Sequence, residues 1–285
     1  MLLLGLAAAL LASAMFNVGA ALQAVEARDQ PPSLGLRLSL IGRLLRRRLW
    51  LVGFALGLLG LAPQVLALGW APFVVVQPAL VAGLLLLLVI GRRRLGERVP
   101  PQSWLGVVAI VVGVGLIAFG APSHTETHRS GLPVVAVVAG LSLPGLLPFA
   151  VRRTRLDSAW LVIFATGAGF AATNVATKLM SDDAGLRHWA NAGAWAVVAL
   201  GMGLAATITN MTAFQRAAAT VVVPVATSIE TFLPIVLEPL FLREHWGSAD
   251  LAGVPVALGL ALAAVGTVLV ARTHVVSELL AEASG

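Results

Sequence analysis

The chain has 285 residues, 59% of them apolar and only 11% charged, and its mean hydropathy is +0.94. A soluble domain is nearer 45–50% apolar and about 25% charged, so this composition excludes a soluble globular enzyme, a disordered tail and a DNA-binding protein. It implies a chain dissolved in lipid almost throughout. The formal net charge is +6 and cysteine is absent, which excludes a disulfide framework, a thiolate zinc site and a cysteine nucleophile. The basic charge is Arg everywhere except Lys178 and falls between apolar segments, so it reads as an orientation device rather than a nucleic-acid footprint.

A bilayer-spanning helix needs about 20 mostly apolar residues. That ruler predicts about nine spans, at 2–24, 49–69, 71–91, 104–121, 132–151, 158–179, 191–212, 217–241 and 250–271. A tight turn near Trp70 makes a hairpin of the second and third. Ala12-Ser13-Ala14 resembles a signal-peptide cleavage site, but the residues before it carry no Lys or Arg, so the first segment reads as a span. Between the first two spans, Leu34–Trp50 alternates Arg with Leu, either as an interfacial helix or as a solvated linker. The polar stretches 25–48 and 121–131 are too short to hold a core of their own.

Placing the first loop inside puts Arg28, Arg37, Arg43, Arg46, Arg47, Arg48, Arg92, Arg93, Arg94, Arg98, Arg152, Arg153, Arg155, Arg216 and Arg272 on the cytoplasmic side. Arg129, Lys178, Arg187 and Arg243 are left outside. So lopsided a division predicts an odd number of spans, an outer N-terminus and a cytoplasmic C-terminus. High Ala, Arg and Leu usage suggests a GC-rich bacterium and hence its inner membrane.

The two halves match each other. Phe16-Asn17-Val18-Gly19-Ala20 aligns with Thr173-Asn174-Val175-Ala176-Thr177. At a constant offset of 146, Gln64, Ala67, Ala71, Val75, Val76 and Pro78 fall on Asn210, Ala213, Ala217, Val221, Val222 and Pro224. Leu95-Gly96-Glu97-Arg98-Val99 falls on Leu242-Arg243-Glu244-His245-Trp246, and Gly106 and Gly120 on Gly253 and Gly266. The expected organisation is an all-α integral membrane protein of two four-helix repeats, 1–121 and 156–272, with a linking helix and loops at 122–155 and a cytoplasmic tail at 273–285. One odd span inverts the second copy, an architecture of secondary transporters that bind substrate near the midplane.

Trp70-Ala71-Pro72-Phe73-Val74-Val75-Val76-Gln77-Pro78 is followed by an apolar span ending in Leu95-Gly96-Glu97-Arg98 and a glycine-rich span closing at Gly120-Ala121-Pro122. This succession resembles the A-P-x-x-x-V-x-P … L-x-E-[KR] … A-P pattern of NIPA-like proteins, a branch of the drug/metabolite transporter superfamily alongside the EamA-like branch. Nine spans suit the NIPA-like branch better. The resemblance implies packed helices with alternating access, a homodimer in some members and, in some NIPA-like proteins, magnesium transport.

Ionisable or amide side chains inside a span are costly and usually face the interior. In the eighth predicted span Thr220, Pro224, Thr227, Thr231, Pro234 and Glu238 recur at steps of three or four, with Glu230 beside Thr227 and Pro234. The prolines free the carbonyls of Thr220 and Glu230, so one face offers a carboxylate, two hydroxyls and backbone oxygens to a proton or cation. Glu230 is the leading candidate for ion or substrate contact, and its first-half counterpart is Leu84. Glu238 sits nearer the outer surface. Asn17 with Asn174, and Gln64 with Asn210, form amide pairs suited either to lining a cavity or to joining helices, and Gln77 belongs to the same layer. Lys178 either pairs with Glu230, binds an anionic substrate or snorkels outward. Arg216 is expected at lipid phosphate.

Gly106, Gly113, Gly120, Gly259 and Gly266 sit near heptad spacing and predict close helix approach, within one chain or across a dimer. In an outer loop, His124 and His128 flank Glu126 at a spacing that takes zinc only on a helix with further ligands. No catalytic triad or phosphate loop appears, which argues against an enzyme, and no cofactor is expected beyond a coupling proton or cation. The expected partners are the lipid bilayer and a small solute or ion. The preferred reading is a secondary transporter of a small solute. A NIPA-like magnesium transporter, in which one midspan carboxylate is a thin site for an octahedral ion, and a non-transporting membrane scaffold or accessory to an envelope enzyme are the alternatives.

Overall fold

The computed structural model describes residues 1–71, 73–120, 132–242 and 254–282, with backbone only at 73–74, 132–133, 235–242 and 273–282. The described chain is helical: α1 (Leu2–Arg28), a short 3-10 turn at Pro32–Leu34, α2 (Leu38–Leu44), α3 (Arg48–Leu59), α4 (Leu61–Trp70), α5 (Phe73–Arg94), α6 (Pro101–Gly120), α7 (Leu132–Val151), α8 (Ala159–Gly185), α9 (Trp189–Arg216), α10 (Ala219–Leu242) and α11 (Val254–Glu282). Eight segments are long and apolar enough to cross a bilayer, with α3 and α4 counted together. The ninth, α10, has 24 residues. Helices satisfy their backbone polar groups internally, so lipid tolerates them. The chain is therefore a multi-pass membrane protein.

The second span differs from expectation in being two helices that meet at Gly60. Pro63, in the first turn of α4, cannot donate to the preceding turn. The Phe16 ring lies so close that a methyl group at Gly60 would sit 2.7 Å from it. Helices α1, α8 and α11 outrun their predicted spans because polar residues such as Glu26, Arg28, Asp182 and Asp183 extend a helix that hydropathy ends early.

The Arg/Leu stretch after α1 is neither a free linker nor a long interfacial helix. Leu36, Leu40 and Leu44 are fully buried, and α2 packs on α9. Leu36 adopts a left-handed φ of 54°, held by a 2.9 Å bond from its N–H to Thr212 Oγ1. Trp50 is buried, stacks on Phe54 with ring centroids 5.2 Å apart, and points its Nε1 at Met211 Sδ, 3.1 Å away.

Two sets of contacts organise the bundle. Helix α1 packs on α3, α4 and α5, and α8 packs on α9 and α10. Between these groups α6 and α11 run antiparallel along a glycine line. A methyl at Gly106 would meet Gly266 O at 2.6 Å, one at Gly113 would meet Gly259 O at 2.7 Å, and one at Gly120 would meet Val256 N at 3.1 Å. Without side chains the backbones approach closely enough for extensive dispersion contact. The glycines thus work within the chain.

Candidate functional site

Helices α8 and α10 start at the same end of the bundle and lie close because Gly167 leaves room: a methyl there would sit 2.6 Å from Ala226 O. Farther along, Asn174 Nδ2 donates to Glu230 Oε1 at 2.7 Å. Glu230 lies eleven residues past the start of α10, about 16 Å along the axis and near the middle of a roughly 30 Å hydrocarbon core. It is half-buried, Asn174 is exposed, and Glu230 has no cationic partner among the described residues.

The hydroxyls on this face are mostly turned onto their own helices. Thr231 Oγ1 donates to Thr227 O at 2.9 Å, and Ser228 Oγ to Pro224 O at 2.8 Å. Beside Asn174, Thr173 and Thr177 bond back to Gly169 O and Thr173 O at 2.9 and 2.7 Å. Thr227, Thr231 and Pro234 are half-buried and Pro224 is buried. Pro234 lacks the N–H that would hold the Glu230 carbonyl. One carboxylate, one amide and one released carbonyl therefore meet at midspan, a set that can take a proton or a desolvated polar group.

The matched asparagine behaves differently. Asn17 is buried, its Nδ2 donates to Ser13 O at 2.9 Å, and its Oδ1 has no hydrogen-bond partner. Ser13 Oγ donates to Leu80 O and accepts from Gly83 N at 2.9 Å. Asn17 thus faces α5 beside Leu84, the counterpart of Glu230, and finds a glycine notch instead of a carboxylate. Gln64, Gln77, Pro78 and Asn210 are half-buried, and the described side chains do not join them into a hydrogen-bonded set with Glu230.

Two expected partners change. Lys178 is exposed and pairs with Asp182, one turn along α8, at 3.3 Å rather than with Glu230. Arg216 is held by Asp157, at 2.5 and 3.3 Å, rather than by lipid phosphate. His124, Glu126, His128 and Pro122 lie outside the described residues, as does the side chain of Glu238. Among the described residues no group of three His, Cys, Asp or Glu could hold a metal.

A second polar cluster, to whose members the sequence assigns no common site, lies at the arginine-rich end. Glu97 accepts from Ala219 N at 2.8 Å and Thr220 N at 3.0 Å, so it caps α10, and it is paired with Arg28. Arg28 also donates to Phe214 O at 3.2 Å and Ala217 O at 3.3 Å, closing the end of α9. Burial alone would raise the Glu97 pKa, but hydrogen bonds from Thr220 and Arg28, with the Arg28 charge, outweigh it and hold the carboxyl below the usual glutamate range. Gly96 aims this side chain: its φ of +66° lets Glu97 N bond Gly91 O at 3.0 Å in a glycine-terminated helix end. The Leu-Gly-Glu triplet carried the signal, but Arg28 is 69 residues away from it.

Over 155 residues the chain is 32% identical to the Arabidopsis thaliana protein named "Probable magnesium transporter NIPA9", a stretch that is 54% of this chain and 42% of the relative. The chain therefore matches less than half of that relative's length. It is 26% identical over 259 residues to an uncharacterized protein of Corynebacterium glutamicum, covering 85% and 86% of the two chains. No family model and no solved structure matches.

Proposed function

We propose that this multi-pass membrane protein is a transporter that moves a small solute by alternating access between two inverted halves, with Glu230 and Asn174 as its midspan contact. The observation that carries this reading is the 2.7 Å pair between a lone midspan carboxylate and an accessible amide on a proline-interrupted helix. Burying an unpaired carboxylate in a span is costly, and such groups mark ion or substrate paths. The antiparallel glycine line between α6 and α11, which are matched in sequence, supports the inverted arrangement. So does the repetition of the α1–α5 contact by α8–α10. The arginine-rich end is assigned to the cytoplasm by charge. Transport membership of the drug/metabolite superfamily is part of the same proposal.

Glu230→Gln keeps shape and hydrogen bonding but cannot ionise. In cells lacking the protein, wild-type expression should shift the intracellular level of the transported metabolite, and Glu230→Gln should abolish the shift while leaving membrane abundance intact. A normal shift with Glu230→Gln removes Glu230 from the mechanism.

Magnesium is a second reading, favoured by the name of the plant relative. Mg²⁺ prefers six oxygens and keeps its waters, so a hydrated ion would be held by Glu230, Asn174 and the free Glu230 carbonyl. Proteoliposomes containing a magnesium-sensitive dye test it: flux above empty vesicles that is lost in Glu230→Gln supports the reading, and flux equal to empty vesicles excludes it.

A further inference from the structure

Resting on the transporter reading, we infer that Arg28 and Glu97 form the latch that closes the arginine-rich end between the two halves, and so position the site without touching the solute. Arg28 ends α1 and Glu97 follows α5, both in the first half. Their other partners, Phe214 O, Ala217 O, Ala219 N and Thr220 N, belong to the α9–α10 junction of the second half. Each ion meets the helix end of opposite sign. Arg28 faces the carbonyl end of α9, and Glu97 faces the N–H end of α10. The two ions also neutralise each other, so four opposite partial or full charges close into one ring.

The ring is tight, and its carboxylate is buried. The Glu97 side chain is 5% exposed and that of Arg28 30%. Gly91 brings α5 against Thr220 so closely that a methyl group there would collide with its side chain. Other contacts cross the same boundary, such as Gln215 Nε2 to Gln30 O at 3.3 Å and Leu36 N to Thr212 Oγ1. Those come from the segment linking α1 to α3, and Trp50 Nε1 to Met211 Sδ adds a crossing contact from the start of α3. Arg28 and Glu97 sit on the ends of the helices that must separate if the halves rock. Their ring lies at the start of α10, about 16 Å from Glu230 along the axis, and it blocks the route from the arginine-rich side while it holds.

The absence of cysteine in the wild-type chain allows a test that needs no known solute. Thr227→Cys reports access to the midspan face, and Ala206→Cys, at a fully buried packing position, reports loss of fold. Membrane vesicles of defined orientation are treated with an impermeant maleimide from the arginine-rich side. Adding Glu97→Gln or Arg28→Gln should speed labelling at position 227 about tenfold while position 206 stays unlabelled, and Arg28→Lys should fall between them and wild type. If neither charge-neutral variant reaches the membrane, Gly96→Ala, which displaces Glu97 without removing charge, takes their place. Unchanged labelling at 227, or equal labelling at 206, overturns the latch. Faster labelling together with normal transport by Glu230→Gln would leave the latch standing and defeat the assignment of Glu230 instead.

Discussion

Asn17 and Asn174 occupy matched positions in the sequence, and each faces a later helix: Asn17 of α1 faces α5, and Asn174 of α8 faces α10. One became structure and the other a candidate site. Opposite Asn17 stands Gly83, next in sequence to the buried Leu84, so the amide sinks into a notch and bonds to Ser13 of its own helix. Opposite Asn174 stands Glu230, and the amide stays accessible with its donor on a carboxylate. The residue across the gap, not the amide, decides which asparagine stays accessible with a carboxylate as its partner.

The strongest way to break this contrast is to make the second half resemble the first. Glu230→Leu should lower transport by two orders of magnitude or more in the cell-based assay, without lowering the melting temperature in detergent, because a midspan charge is removed rather than buried. Filling the first-half notch acts on stability instead. Gly83→Leu drives a side chain into Ser13 and Asn17 and should cost about 3 kcal/mol, at the upper end for overpacking, seen as a lowered unfolding midpoint in denaturant. Asn174→Ala sharpens the contrast: transport should fall about tenfold, with a stability change near the roughly 0.6 kcal/mol average for membrane hydrogen bonds. Asn17→Ala should reverse that pattern, leaving transport near wild type and costing about 1 kcal/mol.

The smallest effect concerns acid. Glu97 is held below its ordinary value in the folded state, so its contribution is complete above the unfolded glutamate value of about 4.3 and fades as pH falls through the lower folded value. The groups facing it are Arg28 and the first N–H groups of α10. The melting temperature of wild type should therefore drop more steeply below about pH 4 than that of Glu97→Gln. Parallel curves would remove Glu97 as a contributor.

Hydropathy made the apolar helices readable, eight of them long enough to cross a bilayer among the described residues, since lipid imposes a length and a composition on each. It could not show the Gly60 break, because both pieces are equally apolar; Pro63 offered a local signal, and the Phe16 contact that fixes the position is a tertiary one. Glu230 was readable as a lone midspan carboxylate on a proline-bearing face. Its bond to Asn174 was within reach through the matched amides. The partners of Arg216, Lys178 and Arg28 were not, since basic residues at helix ends serve lipid, a helix neighbour or a distant carboxylate equally well. Choosing Asp157 or Glu97 requires knowing which helix ends converge.

The glycine line between α6 and α11 has a consequence for assembly of the chain. Its contacts recur every seven residues, so sliding α11 by one repeat, about 10.5 Å, would again set a glycine against a glycine: Gly259 beside Gly106 for a slide one way, or Gly266 beside Gly113 for a slide the other way. Smooth rails of this kind specify direction but not register. Bulky neighbours must act as the stops: Val270 at Gly106 and Ile117 at Gly259. Shaving those two side chains, rather than altering the rails, is the route by which this protein would insert correctly and still settle one notch out of place.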